Sequence, residues 1–500
     1  MTQKRINIPL NRVEGDLEIW VDVDKGVVSN AWSSGTMYRG FEKILVGRGA
    51  LDGLVITPRI CGICSTAHQA AAALSLDMIA KVTPPPDAVI IRNIVQMTEM
   101  LQSDIRQAFL MFAVDFVNPL YKNSPLFDEA LRRYEPFKGE TVIQTIKETK
   151  KLLEMIAIIG GQWPHSSYMV PGGIASVPSS SDLMQCRLLL KQYRNWYEQR
   201  VLGCSIDRFN EVHTVVDLNA WMEENRTHWD SELGFYVRFS RAMGLDKIGK
   251  GHGAFLSYGS INLPENKKWI PAGFFHDFQV KEFDQNHINE HVAYSWYMDY
   301  EGGKHPFDGE TQPYATGNES QKYSWAKAPR YHGFSPETGP LAEMLISGNP
   351  LFLDLIKSKG VSVFTRELTR LIRSVSLIPM LETHLSQVTS DGHFYTSPGE
   401  IFEGEGFGLT HASRGALGHW VKIKDQMIQH YQIITPTAWN ASPRDSHGVR
   451  GPIEEALVGT PIQDISNPLE VGHVVRSFDP CLVCTVHAIN HHQNMGKIFI

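Results

Sequence analysis

Near the front of the chain, apolar and polar residues alternate. Leu17, Ile19, Val21 and Val23 fall on one face while Glu18 and Asp22 fall on the other. Asp24-Lys25-Gly26 supplies a turn and Val27 to Trp32 returns, so the pattern predicts a hairpin in a β-rich part of about residues 1–35. Further on, the period lengthens to that of a helix. Ser65 is placed to cap a helix running to about Ala80, and Pro84-Pro85-Pro86 ends it. Asp87 is the expected cap of the next helix. From Ala88 to about Phe116 the residues Ile91, Ile94, Val95, Leu101, Ile105, Phe109 and Phe112 recur at helical spacing. Similar stretches lie at roughly 141–160, 181–203 and 365–392. Four long amphipathic stretches predict a central four-helix bundle, about 87–203 with 365–392. The segment of about 250–350 is rich in Gly, Pro, Tyr and Trp and reads as an irregular, partly β elaboration whose aromatic rings need burial. Gly404-Glu405-Gly406-Phe407-Gly408 reads as a loop. The class expected is α+β, mainly α, with peripheral β-rich segments.

Composition narrows the function. A chain of 500 residues with 42% hydrophobic and 20% charged content is an ordinary globular protein that needs neither metal nor disulfides to build a core. A net charge of −7, with no basic stripe to track phosphates, argues against nucleic acid. No apolar run is long enough for a transmembrane helix, and no secretory signal stands at the start. The expected compartment is the cytoplasm, with any membrane association made through a partner.

The chemistry is concentrated in cysteine. Of six cysteines, four form two Cys-x-x-Cys pairs at opposite ends of the chain: Cys61 and Cys64, then Cys481 and Cys484. A histidine follows each pair, His68 and His487. Thiolates at this spacing grip one soft or borderline metal. Gly62, between the first two, is expected to permit a tight turn. Spacing alone fits a structural four-cysteine zinc site equally well. Against that stand the ample core of the chain and the acids, arginine and histidines beside each pair.

The two motifs, Arg59-x-Cys61-Gly62-x-Cys64-x-x-x-His68 and Asp479-Pro480-Cys481-x-x-Cys484-x-x-His487, resemble the signature pair of nickel–iron hydrogenase large subunits. The resemblance runs the length of the chain. It includes Arg12-Val13-Glu14-Gly15-Asp16, Tyr38-Arg39-Gly40-Phe41-Glu42 and Tyr323-Ser324-Trp325-x-Lys327-Ala328-Pro329-Arg330-Tyr331. It continues through Arg414-Gly415-Ala416-Leu417-x-His419-Trp420 and Thr437-x-Trp439-Asn440-x-Ser442-Pro443-Arg444-Asp445.

The resemblance implies the hydrogenase large-subunit fold, with one large multi-lobed catalytic domain over 1–487 and a metal site between the N- and C-terminal motifs. All four cysteines would bind nickel, Cys61 and Cys481 terminally, while Cys64 and Cys484 bridge to an iron carrying carbon monoxide and cyanide. H2 would be cleaved heterolytically, its proton passing to a nearby base, the Cys481 thiolate. Glu14 would be the proton gate. Arg414 would stand over the open metal position, held by Asp104 and Asp479. Glu42 and His487 would bind magnesium or a similar ion, with a backbone carbonyl near Ile433–Ile434. His68 would donate a hydrogen bond to a cysteine sulfur. Other histidines, including His165, His305 and His419, read as structural, and Cys186 and Cys204 as inert core thiols.

Once four cysteines hold nickel, two remain, too few for an iron–sulfur cluster of four thiolates. A small subunit carrying such clusters is therefore implied, together with nickel-insertion factors and an endopeptidase that removes residues 488–500. Ser413, His411 and Asp16 depart from the common family pattern and fit a cytoplasmic uptake or sensory branch. The reading is an uptake hydrogenase catalytic subunit. The alternatives are an H2-sensing subunit, or a structural metal-binding or complex I-like subunit.

Overall fold

The helices that carry the centre are α1 (Ser65–Ile79), α2 (Pro86–Arg106), α3 (Glu140–Gly160), α4 (Ser180–Trp196) and α5 (Val363–Gln387). They come from a computed structural model that describes residues 4–317 and 320–484, without the side chains of Asn266 and Cys484. Helix α2 packs on α3, α3 on α4, and α5 on both α4 and α2. The ring closes as the expected four-helix bundle. On α2, Ile91, Ile94, Val95, Leu101 and Ile105 are all buried, each contributing about 1.5–3 kcal/mol relative to exposure. After Arg106 the chain widens into a π-helical turn, Gln107–Phe112, keeping Phe109 and Phe112 inside.

Helix boundaries differ from expectation in three places, each for a local reason. Cys64, not Ser65, occupies the N-cap of α1, with no side-chain cap of its own. The first free N–H groups of α1, on Thr66 and Ala67, instead donate to Glu99 of α2 at 2.9 and 3.2 Å. Asp87 is not the cap of α2, because Pro85 holds that place and Pro86 takes the first helical position. Asp87 accepts from His393 N–H at 2.9 Å. Helix α5 ends at Gln387, before the turn-forming Thr389-Ser390-Asp391-Gly392.

The strands sit around this bundle. β1 (Lys4–Leu10), β2 (Leu17–Asp24) and β3 (Val27–Gly35) form an antiparallel sheet. β4 (Phe255–Asn262), β5 (Lys268–His276) and β6 (Gln279–Lys281) form a second, and β7 (Ile288–His291) pairs with β8 (Ala328–Tyr331). The aromatic content of 250–350 is largely packed: Tyr258 lies against Phe283, and Trp325 stacks on Tyr38 at 4.8 Å. A third sheet consists of β9 (Gly404–Ala412), β10 (Gly415–Lys424) and β11 (Met427–Ile434).

The glycine run is therefore strand, not loop. β9 lies directly on α1, and a Cβ at Gly408 would sit 1.8 Å from Ala71 O, one at Gly406 2.5 Å from Ser75 O. Glycine there lets a strand backbone rest on a helix, a close approach that local pattern does not reveal. The main core runs from Ile8 to Leu482, so the first and last parts of the described residues both pack into it. Among the described residues, no helix is long and apolar enough to cross a membrane.

Candidate metal centre

The two ends of the chain meet backbone to backbone. Glu14 and Cys481 form a parallel bridge, in which Leu482 N–H donates to Glu14 O at 2.6 Å. Gly15 follows with φ +81°, and a Cβ there would lie 2.9 Å from Val483 N. Glycine at this position is what allows the strands to touch. Arg39 ties the first motif to the second, donating to Ile60 O at 2.7 Å, Arg59 O at 2.9 Å and Val483 O at 3.3 Å. Thr437 Oγ1 accepts from Cys481 N–H at 2.9 Å. A second clasp lies close by: Asp115 accepts from Arg12 and, at 2.7 Å, from Arg476, which also donates to Asn11 Oδ1 at 2.6 Å.

These contacts bring Cys61 Sγ and Cys481 Sγ to 3.4 Å, both buried, with Cys64 buried at the head of α1. Two sulfurs bound to one metal at about 2.3 Å stand about 3.3 Å apart at a right angle and about 3.8 Å at the tetrahedral angle. The observed spacing falls in that window and is far too long for a disulfide. The soft donor set fits nickel. Among the described residues, no three His, Cys, Asp or Glu side chains converge on one metal position. The thiol of Cys484, and all of His487 and residues 488–500, lie outside the described residues. Gly62 has no left-handed φ, and a Cβ there would make only ordinary contact with Pro164 at 3.7 Å. The turn between Cys61 and Cys64 therefore does not need glycine.

Arg414 sits at the two-residue tip between β9 and β10, where Ala412 pairs with Gly415. Its Nε donates to Asp479 O at 2.9 Å, and its Nη2 lies 3.0 Å from Asp479 Oδ1. Burial works against the guanidinium charge, but Asp479 and the thiols of Cys481, Cys61 and Cys64 hold its pKa well above the ordinary value. The carboxyl of Glu14 is raised, by burial first and then by the negative charge of Cys61, against the pull of Arg414.

Asp104 does not hold Arg414. It takes Arg373 of α5 in a two-pronged pair, 2.7 Å on each prong. Arg373 in turn donates to Glu343 at 2.9 and 3.0 Å and to Ser413 O at 2.9 Å. Asp104 thus steadies the tip bearing Arg414 at one remove. The reason is reach: α5 lays a nearer guanidinium against it. His411 carries its proton on Nδ1, 2.7 Å from Glu343, because its Nε2 accepts from Tyr258 N–H at 3.0 Å.

His68 and His419 form a chain with Tyr431. His68 Nδ1 meets His419 Nε2 at 3.1 Å, and His419 Nδ1 meets the Tyr431 hydroxyl at 2.9 Å. The Tyr431 proton has no other acceptor among the described residues, so it goes to His419 Nδ1. His419 then donates to His68, leaving the His68 proton on Nε2, the form a sulfur-facing donor needs. Burial first pushes His68 down to about 4, which keeps it neutral. His165, read as structural, has Nδ1 2.9 Å from Pro58 O, beside the first motif. Cys186 is a buried thiol pushed up to about 12 by burial, consistent with an inert role.

Glu42 lies in a short helix, Phe41–Leu45. It accepts from Ile433 N–H at 2.9 Å and from the Thr311 hydroxyl. The backbone near Ile433 thus meets Glu42 through its N–H, a contact distinct from the carbonyl ligand expected there. Lys327 Nζ stands between Glu42, at 3.7 Å, and Glu290, at 3.8 Å. Burial raises Glu290 to about 7. Glu42 offers one hard oxygen donor of the kind magnesium takes.

Sequence reading missed Glu99, Thr437, Arg370, Arg373 and Glu343. One signal was available: Arg366, Arg370 and Arg373 recur at helical spacing on the buried face of α5, where the pattern calls for apolar residues.

A family model described as nickel-dependent hydrogenase matches residues 39–125 and 140–487. The periplasmic [NiFeSe] hydrogenase large subunit of Desulfomicrobium baculatum is 32% identical, over 98% of this chain and 95% of that one. The uptake hydrogenase large subunit of Rhodobacter capsulatus is 29% identical, over 97% and 96%. The solved Ni-Fe-Se hydrogenase from D. vulgaris Hildenborough, in the reduced state, superposes with a TM-score of 0.83 at 30% identity, over 97% of this chain and 100% of that one. A match of this extent, on a site whose thiols lie at metal-sharing distance, leaves one conclusion: the chain belongs to the nickel-dependent hydrogenases, oxidoreductases built around a nickel–iron centre.

Proposed function

We propose that this chain is the catalytic subunit of an uptake hydrogenase, oxidising H2 to protons and electrons that pass to a small subunit bearing iron–sulfur clusters. Cys61, Cys64, Cys481 and Cys484 would hold the nickel–iron centre, whose iron also carries carbon monoxide and cyanide. When bound, the metal pair would supply the Lewis acidity that polarises H2 and the redox capacity for its electrons. The remaining work falls to side chains. The Cys481 thiolate receives the proton. Glu14, held against Cys481 through the Leu482 N–H bond, accepts it next, and a carboxyl raised above its ordinary value by burial suits a group that must both take and release a proton. Arg414 balances the negative charge of the thiolates in a site closed to water. Glu42, with His487, would hold magnesium. Electrons must leave through another chain, because the two remaining cysteines cannot make a cluster.

The observation that carries this reading is the 3.4 Å approach of Cys61 and Cys481, drawn from opposite ends of the chain, with the charge of Arg414 set against them. The test is metal analysis of the purified complex together with H2-dependent reduction of an artificial acceptor. About one nickel per copy of this chain, iron in excess of nickel because of the small subunit's clusters, and H2-dependent turnover are the expected result. Zinc alone, or no metal, would overturn it.

A further inference from the structure

Next to the Arg414–Asp479 pair lies a buried charged cluster that the proposed reaction does not use. Helix α5 contributes Glu367 and Arg370, α2 contributes Asp104, and the π-helical turn contributes Gln107. Glu367 is 1% exposed and Arg370 3%. Arg370 approaches three carboxyl groups without bonding to any: Asp479 at 3.6 Å, Asp104 at 3.8 Å and Glu367 at 3.9 Å. Among the described residues, Glu367 Oε2, Asp479 Oδ2, and Nε and Nη1 of Arg370 have no hydrogen-bond partner. These separations are too long for direct hydrogen bonds, so the unbonded atoms call for a shared water placed to one side of the pairs.

Charge counting decides the state of Glu367. Arg370, Arg373 and Arg414 supply three positive charges, and Asp104, Asp479 and Glu343 already answer them. Arg366 is taken by Glu337 at 2.6 Å. From the π-helical turn, Gln107 donates to Glu367 Oε1 at 2.8 Å. From the helix Glu232–Ala242, Tyr236 faces it, with its hydroxyl donated to Phe364 O at 3.0 Å. No cation remains for a fourth buried carboxylate, and burying one uncompensated is costly. Burial raises Glu367 to about 8 despite Arg370 and Gln107.

We propose that Glu367 is a neutral carboxylic acid that acts as a positioning residue for the Arg414–Asp479 pair, through Arg370 and an internal water joining Glu367 Oε2, Arg370 and Asp479 Oδ2. Ionised, Glu367 would draw Arg370 away from Asp479 and leave Asp479 to Arg414 alone. The effect on turnover rests on the hydrogenase reading; the protonation state does not.

Infrared difference spectra of the purified complex, wild type minus Glu367→Gln, should contain a carboxylic acid C=O band that shifts in D2O and fades as pH rises through about 8. In H2-oxidation assays, the wild-type rate should fall about tenfold per pH unit above about 8, and Glu367→Gln should lose that alkaline limb. Absence of the C=O band, or an alkaline limb unchanged in Glu367→Gln, would overturn the proposal. Gln107→Leu gives an independent reading: without its donor to Oε1 the limb should move to higher pH, and an unmoved limb also overturns the idea. A complex with no H2-dependent turnover under any condition but a clear C=O band would instead sink the hydrogenase reading and leave the assignment of Glu367 standing.

Discussion

Arg373→Met is the sharpest test of how the site is held. Arg373 is 2% exposed and makes two bonds to Asp104, two to Glu343 and one to Ser413 O. Methionine fills most of the same space but carries no charge. Glu343 would keep His411 at 2.7 Å, whereas Asp104 would be left with Arg370 at 3.8 Å, beyond hydrogen-bond reach. Leaving a buried carboxylate without its partner costs about 3–5 kcal/mol. For 500 residues, an unfolding entropy of about 2.1 cal/mol/K per residue sums to about 1 kcal/mol/K, so the thermal midpoint should drop by about 3–5 °C. Removing the stranded carboxylate as well, in Arg373→Met/Asp104→Leu, should recover part of that loss, because two apolar partners cost less than one orphaned charge. Scanning calorimetry of the purified complex reads both values. The reasoning fails if Arg373→Met melts within about 1 °C of wild type, or if the double variant is less stable than the single one.

Arg414→Lys should retain the metals but lose about 100- to 1,000-fold in H2 oxidation, because an ammonium lacks the fork that reaches both Asp479 O and Asp479 Oδ1; wild-type rates would remove Arg414 from the reaction. Glu14→Gln should keep the infrared signature of the centre while turnover falls by about 100-fold or more, since an amide cannot pass a proton; normal turnover would exclude Glu14 as the exit. Glu454 accepts from Ser33 N–H at 2.9 Å and from the Tyr323 hydroxyl at 2.7 Å, and burial raises it to about 7. Its folded pKa therefore exceeds the unfolded one, so the folded state binds the extra proton and stability should fall as pH rises from about 4.5 to about 7. Thermal midpoints measured across that range should slope downward in wild type and more gently in Glu454→Gln.

Much of the helical framework was legible because it rests on local periodicity. Ile91, Ile94, Val95, Leu101 and Ile105 mark the buried stripe of α2 in the sequence and are buried in the fold. The strands β2 and β3 were legible from strict alternation and a turn. The glycine run at 404–408 was not, because its glycines answer to the backbone of α1 and not to a turn of their own. The partner of Asp104 was not legible either. From Asp104 alone, Arg414 and Arg373 are both simply distant arginines, and only the packing of α2 on α5 makes one of them adjacent.

By itself, then, the sequence determined which atoms can do chemistry: four thiols in two pairs, an arginine between flanking motifs, a few acids, and too few further cysteines for a four-thiolate cluster. Tertiary structure decided their relations. It set the 3.4 Å between Cys61 and Cys481, the hold of Asp479 on Arg414, the Arg373 hub, and the helix cap that Glu99 lends to α1. The physical reason is range. Periodicity and residue chemistry are encoded within a few positions, whereas distances and buried charge balance arise only when segments hundreds of residues apart exclude water from the same volume.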